Sequence, residues 1–142
     1  MITPLRIGQR VSATRVFSMD DVQTFAALSG DANPIHLDPE FARQSIFGRP
    51  IVHGLFTTSL FSRLLGEELP GPGTIYLGQS LSFVRPVFVG DEVTASVEVT
   101  HIRQDKPIVT LRTIVTTNDG IAVDGEAVVK VPGPVSPPGT AP

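Results

Sequence analysis

Residues 54–65 contain Leu55, Phe56, Leu60, Phe61, Leu64 and Leu65, with Arg63 as their only charge. Wound as a helix, such a segment is apolar on nearly every side and has to be buried. The chain has 142 residues, enough for one domain and too few for two, so the cover must come from the same domain or from a second copy. The sequence offers a sheet. After Pro70 the apolar period switches to two: Ile75, Leu77, Leu81 and Phe83 alternate with Tyr76, Gly78, Ser80 and Ser82, and Val93, Ala95, Val97 and Val99 alternate with Thr94, Ser96, Glu98 and Thr100. Both runs predict half-buried strands. Residues 86–91 predict a turn between them, and Asn118-Asp119-Gly120 predicts another between strands over 108–117 and 121–131. With a shorter strand over 9–17, the expectation is an α+β domain in which an antiparallel five-stranded sheet wraps a long central helix.

Two further helices are expected before residue 54. Ser18 and Asp21 resemble a capping box with Asp in place of Glu; Val22, Phe25 and Ala26 then form an apolar stripe that Gly30 can end. Asp38-Pro39 is an N-cap followed by Pro at the first helical position, and the spacing predicts a helix that stops at Gly48. Residues 1–131 are expected to form the domain, and 132–142, PGPVSPPGTAP, a Pro-rich disordered tail with little to bury.

Composition narrows the chemistry. Cys is absent, which removes a thiol nucleophile, a disulfide framework and a Cys-ligated zinc. A net charge of -3 with 11 scattered Lys and Arg lacks the basic stripe of a nucleic-acid binder. The opening residues MITPLRIGQRVS have no secretory apolar segment, and no stretch approaches the roughly 18 apolar residues of a membrane span. A cytoplasmic protein with no membrane and no nucleic-acid partner is expected.

The densest polar constellation runs from Ser29 to Asp38, between two helices, in an expected loop. Asp, Asn and Pro there have an ordinary reading as turn formers. They also have a chemical one, in which Asp31 and His36 converge as an acid/base pair, a carboxylate beside a group that titrates near neutrality. Spacing alone permits either. Gly54 opens the apolar helix, where it exposes an unpaired N–H to an oxyanion or simply eases close packing. Thr58 and Ser62 follow at helical spacing and share its face, although buried hydroxyls commonly bond a carbonyl of their own helix. Asp31, His36 and His53 could compose a metal site, but no His pair has ligand spacing, so none is expected. Arg85, Arg103 and Lys106 suit a phosphate-bearing ligand or plain solvation.

Residues 25–42, FAALSGDANPIHLDPEFA, resemble the signature of the MaoC-like dehydratases, which include the (R)-specific enoyl-CoA hydratases and resemble the hydratase 2 domain of peroxisomal multifunctional enzymes. Phe47-Gly48-x-Pro50-Ile51-Val52-His53-Gly54 is similar to the segment entering the family's central helix, and Phe83-x-x-Pro86-Val87-x-x-Gly90-Asp91 to its strand-turn-strand. The resemblance covers all but the tail. It implies a hotdog fold, a homodimer, no cofactor and no metal. Carried onto this chain, it implies Asp31 and His36 as the catalytic pair, with Asp31 the favoured base and His36 the favoured proton donor. It implies the Gly54 N–H as oxyanion donor, and Asn33, His53 and Ser62 at the substrate. That substrate is a trans-2-enoyl thioester of coenzyme A, hydrated syn to an (R)-3-hydroxyacyl product. The alternatives are a 3-hydroxyacyl dehydratase acting on acyl carrier protein and a noncatalytic acyl-CoA-binding hotdog subunit; the Asp-x-Asn-Pro-x-His motif matches the hydratases better than hotdog thioesterases.

Overall fold

The computed structural model describes residues 4–132, so the expected tail lies outside the described residues apart from Pro132. In chain order the elements are β1 (Arg10–Val16), α1 (Met19–Ser29), α2 (Pro34–Leu37), α3 (Pro39–Arg43), α4 (Gly54–Glu67), β2 (Ile75–Phe83), β3 (Glu92–Ile102), β4 (Ile108–Thr117) and β5 (Gly120–Lys130). The five strands form one antiparallel sheet in the order β1-β3-β4-β5-β2. Helix α4 packs against β1, β2, β3 and β4. No described helix is long and apolar enough to cross a membrane.

The core is the seam between α4 and the middle of the sheet. Leu60, Phe61, Leu64 and Leu65 of α4 meet Val93, Ala95, Val97 and Val99 of β3, Val109, Leu111 and Val115 of β4, and Val123, Ala127 and Val129 of β5. Period-two alternation puts one face of β3 into this seam while Glu98 and Thr100 stay exposed, as the sequence predicts. Each Leu sealed there adds roughly 1.5–3 kcal/mol by leaving water. The α1 caps also form as expected. Ser18 Oγ accepts from the Asp21 N–H at 3.1 Å, Asp21 Oδ2 accepts from the Ser18 N–H at 3.0 Å, and Gly30 ends the helix at φ 81°.

Four expectations fail, each for a physical reason. The second predicted helix stops at Arg43 rather than Gly48, because Ser45 turns back on the helix end, its Oγ donating to the Ala42 carbonyl and accepting from the Phe47 N–H. A four-residue helix, α2, occupies what was expected to be loop, started by Asn33 as cap and Pro34 at its first position. Strand β2 is not half-buried: Ile75, Leu77 and Phe83 are each more than half exposed, since β2 lies at the sheet edge and its register slips between Tyr76 and Gly78. Residues 86–91 do not turn between neighbouring strands either. β2 and β3 lie at positions five and two of the sheet, so this connection crosses over, with its return bend at Gly90 (φ 94°), whose N–H donates to the Phe17 carbonyl at 2.8 Å.

Candidate active site

The loop after α1 builds itself from its own side chains. Ser29 Oγ accepts from the Asp31 N–H at 3.1 Å, Asp31 Oδ1 from the Asn33 N–H at 3.2 Å, and Asn33 Oδ1 from the Ile35 N–H at 3.2 Å. Asp38 Oδ1 then accepts from the N–H groups of Glu40 and Phe41. The turn-forming reading of these residues is therefore real. It is also what delivers the acid/base pair, because the single turn of α2 that Asn33 starts carries His36 inward, to 8% exposure, while Asp31 stays exposed at the loop.

Residues 50–53 lie between α2 and the β2–β3 crossover. The Ile51 N–H donates to the Ile35 carbonyl, the Val52 N–H to the Val87 carbonyl and the Val89 N–H to the Pro50 carbonyl; Ile51 and Phe88 form an isolated antiparallel bridge. This strap fixes the rings on either side. His36 Nδ1–H donates to the Ile51 carbonyl at 2.7 Å, and His53 Nε2–H donates to the Asp31 carbonyl at 3.0 Å. The two imidazoles stack with centroids 3.8 Å apart. His53, 2% exposed, is also the N-cap of α4 and packs on Phe25.

Since a carbonyl only accepts, His36 carries its proton on Nδ1 and leaves Nε2 as an acceptor when the ring is neutral. The ring is held below the usual imidazole value. Burial is the main cause, the nearby His53 adds to it, and the Ile51 carbonyl and the Asp31 charge oppose it. At the neighbouring helix start no side chain caps α4, so its first N–H groups remain free for a negatively charged atom.

Asp31, His36, His53 and Gly54 line one cavity of about 640 Å³, closed on its other side by Phe83, Arg85 and Val87 of β2 and the crossover. The packing reading of Gly54 also holds. A Cβ there would lie 2.5 Å from Phe83 Cε1, so only Gly lets that ring close over the helix start. Two predicted contacts are not brought together with this group. Asn33 is spent on capping α2, and the exposed Ser62 lies with the buried Thr58 along a second groove shared with Tyr76 and Leu81. Thr58 Oγ1 donates to the Leu55 carbonyl of its own helix. Of the three basic candidates, Arg103 pairs with Asp105 and only Arg85 reaches the cavity wall, its Nη1 donating to the Ile121 carbonyl at 2.8 Å. Sequence reasoning missed Phe83 and Val87 as wall residues because it read Phe83 as part of a half-buried strand and Val87 as part of a turn between neighbouring strands.

Asp31, His36 and His53 do converge, each offering a ligand atom within 4.8 Å of the others, which their spacing in the chain hides. A divalent metal is bound in the plane of each imidazole at roughly 2 Å. Stacked rings project their lone pairs side by side rather than onto a common point, so the trio fits proton transfer better than a metal. A carboxylate and a neutral ring acceptor together hold a water, while the free N–H at Gly54 suits a developing oxyanion.

Comparison with known proteins matches residues 4–120 to the MaoC like domain. The chain is 61% identical over 129 residues to the (R)-specific enoyl-CoA hydratase of Aeromonas caviae, covering 90% of this chain and 96% of that one. It is 38% identical over 134 residues to a mitochondrial 3-hydroxyacyl-[acyl-carrier-protein] dehydratase of Arabidopsis thaliana, covering 92% and 80%. Among solved structures, the unliganded R-hydratase of Pseudomonas aeruginosa superposes with a TM-score of 0.86 at 40% identity, covering 97% of this chain and 91% of that one.

Proposed function

Because the chain belongs to the MaoC-like domain family, we infer that it is an (R)-specific enoyl-CoA hydratase, a hydro-lyase that adds water syn to a trans-2-enoyl-CoA and reversibly forms the (R)-3-hydroxyacyl-CoA. The fold is the hotdog fold, and its one domain is proposed to end at Val131, as the sequence predicts. The observation that carries the function is 61% identity to a hydratase of this specificity across nearly the whole of both chains.

We assign the chemistry to Asp31, His36 and the N–H of Gly54. Water is held between the Asp31 carboxylate and His36 Nε2 on one face of the alkene. As its oxygen bonds to C3, the alkene pair moves onto the thioester oxygen, where the Gly54 N–H at the positive end of α4 supports the enolate. The proton lost by the water passes to the pair and returns from it to C2 on the same face, so atoms and charge balance and addition is syn. The neutral, Nδ1-protonated ring supports one refinement of the expected roles. His36 cannot begin as a proton donor at Nε2; it first accepts there, or shares the water's proton with Asp31, and then gives it back.

Assayed by loss of enoyl absorbance on crotonyl-CoA, with chiral analysis of the product, the protein should give the (R)-alcohol. The same assay tests the proton roles. A neutral His36 makes kcat/KM rise with pH through a midpoint below about 6.5 and then stay level to about pH 8. A rate that falls over this span would instead require an imidazolium donor. Exclusive turnover of the acyl carrier protein thioester, with none of the CoA thioester, would move the chain to the dehydratase reading that the Arabidopsis relative represents.

We further propose a homodimer acting in the cytoplasm on the thioesters of fatty-acid metabolism. Its support is the face left open beside the edge strand: Leu55 is 64% exposed on α4 and shares a groove with Leu77 of β2, on which Ile75 is exposed too. An edge strand with a contiguous apolar flank is a pairing surface. Light scattering should give twice the monomer mass, and Ile75→Lys with Leu77→Lys should halve it. A fully active wild-type monomer would remove the dimer from the account.

A further inference from the structure

Outside the pair and the helix start, the site contains one buried ring with no assigned part in the chemistry. His53 touches each of the three groups above. Its Nε2–H holds the Asp31 carbonyl at 3.0 Å, its face lies on the His36 ring at a centroid distance of 3.8 Å, and as N-cap of α4 it precedes Gly54 directly, its own carbonyl accepting from the N–H groups of Phe56 and Thr57 at 3.0 and 3.2 Å. We propose that His53 is a positioning residue, which ties the backbone of the base, the plane of the second imidazole and the start of the oxyanion helix into one rigid unit. The proposal rests on the hydratase reading and assigns His53 a different part from the substrate contact that the family resemblance implies.

Each contact removes a particular freedom. Asp31 is exposed; its Oδ1 accepts from the Asn33 N–H and its own N–H donates to Ser29 Oγ, both within the loop, while its carbonyl accepts from His53, which ties the loop to the start of α4. His36 is anchored through Nδ1 to Ile51, which leaves the ring free to rock about that bond until His53 covers one of its faces. His53 itself is wedged between His36 and Phe25, and Phe25 is stacked on Phe56 of α4 at 4.7 Å, so the unit extends into two helices.

The second ring nitrogen argues against a mere packing role. His53 Nδ1 is buried without a hydrogen-bond partner. An unpaired buried polar atom costs stability that Leu or Phe at this position would avoid, so what the imidazole provides is its Nε2–H donor and its flat face.

The test compares His53→Leu, which keeps bulk and loses the donor, with His53→Gln, whose amide nitrogen reaches the place of Nε2, and His53→Asn, whose amide nitrogen stops short at the place of Nδ1. On crotonyl-CoA, kcat should fall about tenfold to a hundredfold in His53→Leu, the scale of a misplaced reactive group, with KM held within about threefold. His53→Gln should recover most of the loss and His53→Asn little. In the resting protein, nitrogen-15 spectra of the imidazoles should show His36 fixed as the Nδ1–H tautomer in the wild type and exchanging between tautomers in His53→Leu. A raised KM with kcat kept would make His53 a substrate contact and overturn the proposal, as would wild-type kcat in a folded His53→Leu. Should His53→Leu not fold, the Gln and Asn pair decides alone: equal kcat in the two overturns the proposal. Wild-type protein that turns over no enoyl thioester overturns the hydratase reading instead, and leaves the spectra to judge the positioning.

Discussion

Asp31→Asn and His36→Ala should each lower kcat on crotonyl-CoA by about two to four orders of magnitude, the range that positioned acid/base groups supply. The two variants remove different things. Asn at position 31 keeps an oxygen where Oδ1 accepts the Asn33 N–H, so the loop survives while the charge that takes the water's proton is gone. His36→Ala removes the other acceptor and leaves the Ile51 carbonyl and the face of His53 uncovered, so some stability goes with it, and a thermal melt must accompany the rate. If the two groups act on one water, the double variant should be hardly slower than the worse single one, as happens when residues work as a unit. Near-normal turnover in either folded single variant would reject the assignment.

Gly54→Val should cost a comparable amount, since removing one oxyanion donor in well-studied sites costs about 2.7–4 kcal/mol, or roughly 10²–10³ in kcat. The structure shows why Val alone is ambiguous. Any Cβ at this position meets the Phe83 ring at 2.5 Å, so a loss of rate follows either from blocking the N–H or from pushing the ring aside. Phe83 is 54% exposed, and a half-free ring at the cavity wall can swing. Adding Phe83→Ala to Gly54→Val therefore separates the causes. A blocked oxyanion stays blocked when the ring is gone; a packing fault is relieved. Recovery of kcat to the level of Phe83→Ala alone would show that the enolate is held elsewhere.

Those parts of the fold whose cause is local were legible from residue order. The Ser18 and Asp21 caps, the alternation along β3, the turn at Asn118-Asp119-Gly120 and the apolar α4 all follow from contacts within a few positions, and all formed. What was misread depends on partners far along the chain. The exposure of Ile75 and Leu77 is decided by the place of β2 in the sheet, and a period of two looks the same at an edge and in the middle. The short α2 is too brief for any periodicity, though Asn33 followed by Pro34 is a legible start signal. At the site, residue types alone left Asp31 and His36 as turn formers or as an acid/base pair; the structure makes the same side chains both. Ser62 was carried onto the site with the family pattern; in this chain it lies about two turns along α4 from Gly54, in a second groove.

The crossover over residues 84–91 leaves the edge strand β2 and enters β3, two strands whose pairing within the sheet is set by other neighbours. Residues 29–54 carry the reactive groups, and a separate stretch around Phe83, Val84 and Val87 supplies the opposing wall. The wall is thus divided between Phe47, Ile51, Val52 and Leu55, which are interleaved with the reactive groups, and this later stretch. Substitutions at Phe83, Val84 or Val87 therefore reshape one side of the cavity without replacing any residue that carries the proton chemistry.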